Sequence, residues 1–153
     1  MQFDGKTLIG EYPTGRLFEF DGRTVRPSPL TPPDFSDGIP NASESQTLAV
    51  HCGNLFVGYW PHAALYRYDG SHWKEPITFF PSRTETFPHT KEAEAAGQIF
   101  NFLGQRVSSL ISHEGSLYAI TSNKGDWNAS IDIPIPEADL YGMTYKIDID
   151  GCE

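Results

Sequence analysis

Apolar residues along the chain gather in short runs rich in β-branched and aromatic side chains, among them "TLAVH" (47–51), "NLFVGYW" (54–60), "ALYRYDG" (64–70) and "HWKEPITFF" (72–80). Glycine-bearing pairs divide them: Cys52-Gly53, Asp69-Gly70 and Glu114-Gly115. Glycine accepts positive φ without a Cβ clash, so these pairs suit tight hairpin turns, and short runs divided by them predict antiparallel strands. One stretch has another rhythm. "HTKEAEAAGQIFNFLG" (89–104) puts Ala96, Ile99, Phe100 and Leu103 on one helical face and predicts a short helix inside a loop, with "KEAEAA" (91–96) as its solvated side.

The strand pattern repeats. An offset of 48 residues pairs Gly5 with Gly53, Leu8 with Phe56, Gly10 with Gly58, Leu17 with Leu65, Phe18 with Tyr66, Phe20 with Tyr68 and Asp21-Gly22 with Asp69-Gly70. A third copy lies at an offset of 62, matching His113 to His51, Gly115 to Gly53 and Leu117 to Leu55; "SNKGDWNASIDIPIPEAD" (122–139) interrupts it, and it resumes as "YKIDIDG" (145–151). Periods of ~40–50 residues mark architectures in which each unit needs neighbours to bury its faces. Each copy reads as about four antiparallel strands, a to d.

Four short strands per period, with Gly before strand b and Asp-Gly after strand c, resemble the blades of a β-propeller, and the wording of the repeat is most similar to kelch-like propeller repeats. The likeness covers the chain apart from 29–45, 81–106 and 122–139, and the Gly-His…Trp-Asp signature of WD repeats is missing. The resemblance implies an all-β fold in one domain, 1–153: three propeller-type four-stranded blades at about 1–28, 46–80 and 107–153, the first and last incomplete. A closed propeller needs at least four blades. An incomplete ring would leave sheet edges and apolar faces open, so self-association is expected, with a two-chain, six-bladed ring favoured.

Charge narrows the partners. Eleven Lys and Arg against twenty Asp and Glu give a formal charge of −9, which repels phosphate backbones and anionic lipid heads, so neither nucleic acid nor a membrane is expected. No apolar run nears the ~20 residues of a membrane span, and "MQFDGKTLIG" has no basic n-region followed by an apolar h-region, so the sequence reads as a cytoplasmic or otherwise soluble chain with no visible signal peptide. Cys52 and Cys152 show no zinc spacing and read as free thiols; the sequons at Asn41 and Asn128 read as accidental. "DIDG" (148–151) matches the other Asp-Gly turns rather than a calcium loop, and the paired His51 and His113 lack a third metal ligand. No metal and no cofactor is expected.

In such a repeat the a–b and c–d turns share one end, and here they are all short; the long segments 29–45, 81–106 and 122–139 all leave from the other end. Loops held by a rigid scaffold carry binding groups disproportionately, so the long-loop end is the expected functional face. The "RPSPLTPPDF" stretch (26–35) reads as a stiff crossover between units. At this end the candidate ligand-binding residues are Tyr12, Tyr59, Trp60, His62, Asn123, Asp126 and Trp127, aromatics with amide, imidazole and carboxylate neighbours suited to stacking on a sugar ring or a peptide side chain; the competing reading has the aromatics filling gaps between blades. No G-x-S-x-G, H-E-x-x-H, P-loop or G-x-G-x-x-G occurs, and no catalytic residue is singled out. The expected function is therefore a non-catalytic binding module for a small molecule, glycan or peptide. The alternatives are a hydrolase or lyase using Asp126, Glu137, Asp139 and His62 at the channel mouth, and an inactive fragment of a larger propeller.

Overall fold

A computed structural model of the 153-residue chain describes residues 1–35, 44–60, 63–80, 105–123, 142–150 and 152. The fold is all-β, as the short apolar runs required. Three antiparallel sheets follow one another along the chain. The first holds β1 (Gln2–Phe3), β2 (Lys6–Gly10), β3 (Leu17–Phe20) and β4 (Val25–Pro27) in that spatial order. The second repeats the order with β5 (Glu44–His51), β6 (Asn54–Trp60), β7 (Ala64–Tyr68) and β8 (Ile77–Thr78). The third has three strands, β9 (Arg106–His113), β10 (Ser116–Ser122) and β11 (Thr144–Ile147), in the order β11-β10-β9. Among the described residues the only helical turn is a 3₁₀ turn at Pro33–Phe35. The helix expected at 89–104 lies outside the described residues.

The repeat seen in sequence is a repeat in backbone conformation. Asp4-Gly5, Cys52-Gly53 and Glu114-Gly115 have φ near 48° and 71°, 47° and 72°, and 46° and 71°. Positive φ at both central residues is the type I′ turn that matches strand twist in a two-residue hairpin. The turns after β3 and β7 repeat as well: Asp21 Oδ1 accepts from the amides of Arg23 and Thr24, and Asp69 Oδ1 from those of Ser71 and His72, all at 2.8–2.9 Å.

The second sheet lies between the other two, and its residues divide by parity. Leu55, Val57, Tyr59, Ala64 and Tyr66 pack with Leu8 and Leu17 of the first sheet. Phe56, Leu65, Ala49 and Phe80 pack with Val107, Leu117 and Ala119 of the third. β6 is thus buried on both faces, which is why "NLFVGYW" reads as a nearly continuous apolar run. Two repeated glycines permit this approach. A Cβ on Gly10 would stand 2.4 Å from the Ser45 carbonyl oxygen, and one on Gly58 would stand 2.6 Å from Val107 Cβ. Ser45 and Val107 are themselves repeat equivalents, 62 residues apart. The same strand-b position therefore faces the start of the next sheet's first strand in both interfaces.

The outer faces are different. Ile9, Phe20 and Val25 of the first sheet are 41%, 37% and 58% exposed, and Ile111 of the third is 50% exposed. Glu19 is the charged group inside the first interface, held by Lys6 at 2.9 Å, Ser28 at 3.2 Å and Arg26 at 3.4 Å.

The free-thiol expectation is corrected: Cys52 and Cys152 form a disulfide across 100 residues, with Cα atoms 5.6 Å apart. Linear spacing gave no sign of it, because tertiary folding alone brings the stretch after β11 to the β5–β6 turn. Among the described residues no helix is long and apolar enough to cross a membrane.

Candidate functional site

The two ends of the sheets are built differently, and each end is shared by all three. At one end stand the short turns: Cys152 Sγ lies 3.6 Å from the Gly115 carbonyl of the β9–β10 turn while bonded to Cys52 of the β5–β6 turn. At the other end the β2–β3 connection, residues 11–16, is fastened to the second sheet. Ser45 Oγ accepts from the Glu11 amide at 2.6 Å and lies 3.2 Å from the carbonyl oxygens of both Glu11 and Arg16, and Tyr59 Oη donates to the Gly15 carbonyl at 2.9 Å. Thr14 Oγ1 donates to the Glu11 carboxylate within the same loop. The strand ends Gly10, Trp60 and Ser122 all lie at this rim.

The sequence candidates separate here. Tyr12 is 62% exposed at the tip of the first connection, preceding a cis peptide bond to Pro13. Trp60 ends β6, paired with Glu44 at the start of β5. Asn123, half-buried, directly follows β10. Tyr59 has another role: it is buried in the first interface, its ring meets Tyr66 edge-on at 5.2 Å, and burial raises its hydroxyl pKa well above the usual tyrosine range. It supports the β2–β3 connection from below. Tyr66 in turn donates to Asp34 at 2.6 Å, and burial, together with that hydrogen bond, raises its pKa as well. His62, Asp126 and Trp127 lie outside the described residues, as do Glu137 and Asp139.

Sequence reading overlooked Arg16 and Gln46. Their Nε and Oε1 atoms, together with Trp60 Nε1, are buried without a hydrogen-bond partner among the described residues. All three lie at this end of the sheets, with Trp60 on the face of β6 opposite Tyr59 and Arg16. Arg16 precedes β3 and its carbonyl meets Ser45; Gln46 is the extra residue of a β-bulge between Ser45 and Thr47; Ser45 pairs with Tyr59, the residue before Trp60. A bulge re-aims a side chain, and it cannot be read from a single sequence. No family model, characterised protein or solved structure matches this chain.

At the opposite end a cleft of about 550 Å³ opens between the first two sheets, lined by Phe3, Lys6, Leu30, Val50, Tyr68 and Gly70 among others. Its cation, Lys6, is already bound to Glu19. The sequence-matched His51 and His113 do not converge: His51 is buried beside the disulfide, and exposed His113 stands 3.7 Å from Glu114.

Proposed function

We propose that this protein is a non-catalytic binding module: a sector of a propeller-like ring, joined to a second copy of itself, that holds a ligand with a flat apolar face, such as a sugar ring or a peptide side chain, over its long-loop rim. The observation carrying this reading is that three buried polar atoms at the long-loop end, Arg16 Nε, Gln46 Oε1 and Trp60 Nε1, have no partner among the described residues. A desolvated donor or acceptor without a partner costs about 1–3 kcal/mol, and native proteins keep few of them. Three such atoms at one end of the sheets, with exposed Tyr12 on a connection at the same end, leave bonding capacity that a ligand over this rim completes. Tyr and Trp offer wide stacking faces with a polar tip, which suits such a ligand.

Assembly with a second copy is supported by the repeat itself. Ile9 and Phe18, on the outer face of the first sheet, are the equivalents of Val57 and Tyr66, which are buried against a neighbouring sheet. Ile111 and Tyr118, on the outer face of the third, are the equivalents of Ala49 and Phe56, also buried against a neighbour. The third sheet of one copy against the first sheet of another continues the inter-sheet interface already present twice within the chain, and two such joints close a two-fold ring. Ile120 stands where Gly10 and Gly58 stand, so this joint is spaced more widely than the internal ones.

Light scattering coupled to size exclusion tests the assembly: a mass near twice 17.1 kDa is expected, reverting to one chain in Ile9→Asp and Ile111→Asp. A stable monomer at high concentration refutes it. Glycan and peptide arrays test the rim. Trp60→Phe keeps the ring and removes the indole N–H, so a three- to tenfold loss of retention is expected, with a larger loss in Tyr12→Ala; equal retention by both variants refutes the reading.

A further inference from the structure

Three metal-binding side chains meet at the short-turn end, away from the proposed rim. His51 closes β5, Cys52 follows it in the type I′ turn, and Cys152 arrives from beyond β11. One ligand atom from each lies within 4.8 Å of the others. His51 Nε2 is 3.1 Å from Cys152 Sγ and 3.4 Å from Cys52 Sγ. Its other ring nitrogen, Nδ1, is 2.9 Å from Ser112 Oγ of β9. The imidazole is 97% buried, held between the second and third sheets beside Phe56. A histidine anchored through one nitrogen, with the second aimed at two sulfurs, has the arrangement of a metal-bound imidazole with its outer-shell partner: in the tautomer protonated at Nδ1, that N–H donates to the serine and the Nε2 lone pair faces the sulfurs.

The geometry points to a zinc site that alternates with the Cys52–Cys152 disulfide: in the reduced chain the two thiolates and His51 Nε2 hold one Zn²⁺. The exchange balances. A dithiol reductant passes two electrons and two protons to the S–S bond and becomes a disulfide itself; Zn²⁺ then displaces both thiol protons and forms two Zn–S bonds and one Zn–N bond. Two thiolates on a common zinc at ~2.3 Å stand about 3.8 Å apart, a separation that side-chain rotation supplies from Cα atoms 5.6 Å apart. Thiolate and imidazole donors select zinc over calcium and magnesium, which require oxygen ligands. Cys52 is exposed and Cys152 half-buried, so solvent completes the fourth position and the ion exchanges readily. In either state the stretch after β11 stays pinned to the β5–β6 turn.

The test uses the full chain, reduced and desalted without oxygen, then titrated with Co²⁺ and back-titrated with Zn²⁺. Expected are one cobalt per chain, a thiolate-to-cobalt charge-transfer band that Zn²⁺ abolishes, and no binding by the oxidised chain. Cys152→Ser and His51→Gln remove the band or weaken binding more than a hundredfold. Ser112→Ala, which keeps all three ligands, weakens it about 10–100-fold. Circular dichroism of each sample without metal separates lost binding from lost folding. Cobalt bound without the thiolate band, equal affinity in oxidised and reduced chains, unchanged affinity in both Ser112→Ala and His51→Gln, or a reduced chain that stays unfolded with zinc present would overturn the site.

Discussion

Gly58→Ala tests the close contact of the second and third sheets with a single methyl group. Gly58 lies within β6, outside the positive-φ region, so alanine is allowed there by the backbone and on conformational grounds alone would stabilise by about 0.4–1 kcal/mol. Packing reverses the sign. The added Cβ would stand 2.6 Å from Val107 Cβ and 2.8 Å from both Val107 Cγ1 and Thr47 Cγ2, against a carbon–carbon optimum of ~3.5–4.0 Å. Both neighbours are β-branched and stiff at χ1, and Val107 is fully buried, so relief requires the sheets to part. Overpacking of this kind costs about 1–3 kcal/mol, and the ~1 Å overlap on two rigid side chains places Gly58→Ala near the upper value. At about 2–4 °C per kcal/mol for a chain of this size, the melting temperature should fall by roughly 6–12 °C. Urea unfolding of Gly58→Ala, Val107→Ala and the double variant measures the coupling directly: in the double variant the alanine at 107 makes room for the new methyl, so the two costs should fall short of adding by at least about 1 kcal/mol. A neutral or stabilised Gly58→Ala, or strictly additive costs, would refute the close stacking.

Other consequences are as direct. Asp21 is held at a pKa of about 2 by the amides of Thr24 and Arg23, and Glu19 is held below the usual glutamate range first by its hydrogen bond to Lys6. Both folded-state values are depressed, so their stabilisation is present above pH ~4.5 and is lost as pH falls through the folded values; urea midpoints should decline below pH 4, and Glu19→Gln should flatten that decline. Cys152→Ser under oxidising conditions opens a 100-residue loop and should cost about 2–5 kcal/mol by the same measurement, a cost that vanishes when wild type and variant are compared fully reduced and metal-free. Tyr59→Phe removes the hydrogen bond to the Gly15 carbonyl and should cost about 1 kcal/mol in stability, with faster amide exchange across residues 11–16 as its local signature.

Much of this protein was legible in the linear chain because its determinants are local. Asp4-Gly5, Cys52-Gly53 and Glu114-Gly115 specify their turns through backbone sterics alone, and the apolar runs between them specify strands, so the number of sheets followed from counting, whereas the first unit, expected to be incomplete, has four strands because Gln2–Phe3 pairs with β2. The two-sided burial of β6 accounts for its nearly continuous apolar run, although the run alone reads only as a strand. Tertiary structure decided whatever depends on residues distant in sequence. Tyr59 looks like a rim aromatic until the first sheet covers it; Gln46 becomes part of the rim only through a bulge; Gly10 and Gly58 acquire a reason only when Ser45 and Val107 press against them. Cys52, Cys152 and His51 become neighbours only once the end of the third sheet returns to the second, because proximity across 100 residues is a property of how the sheets stack and leaves no mark on spacing.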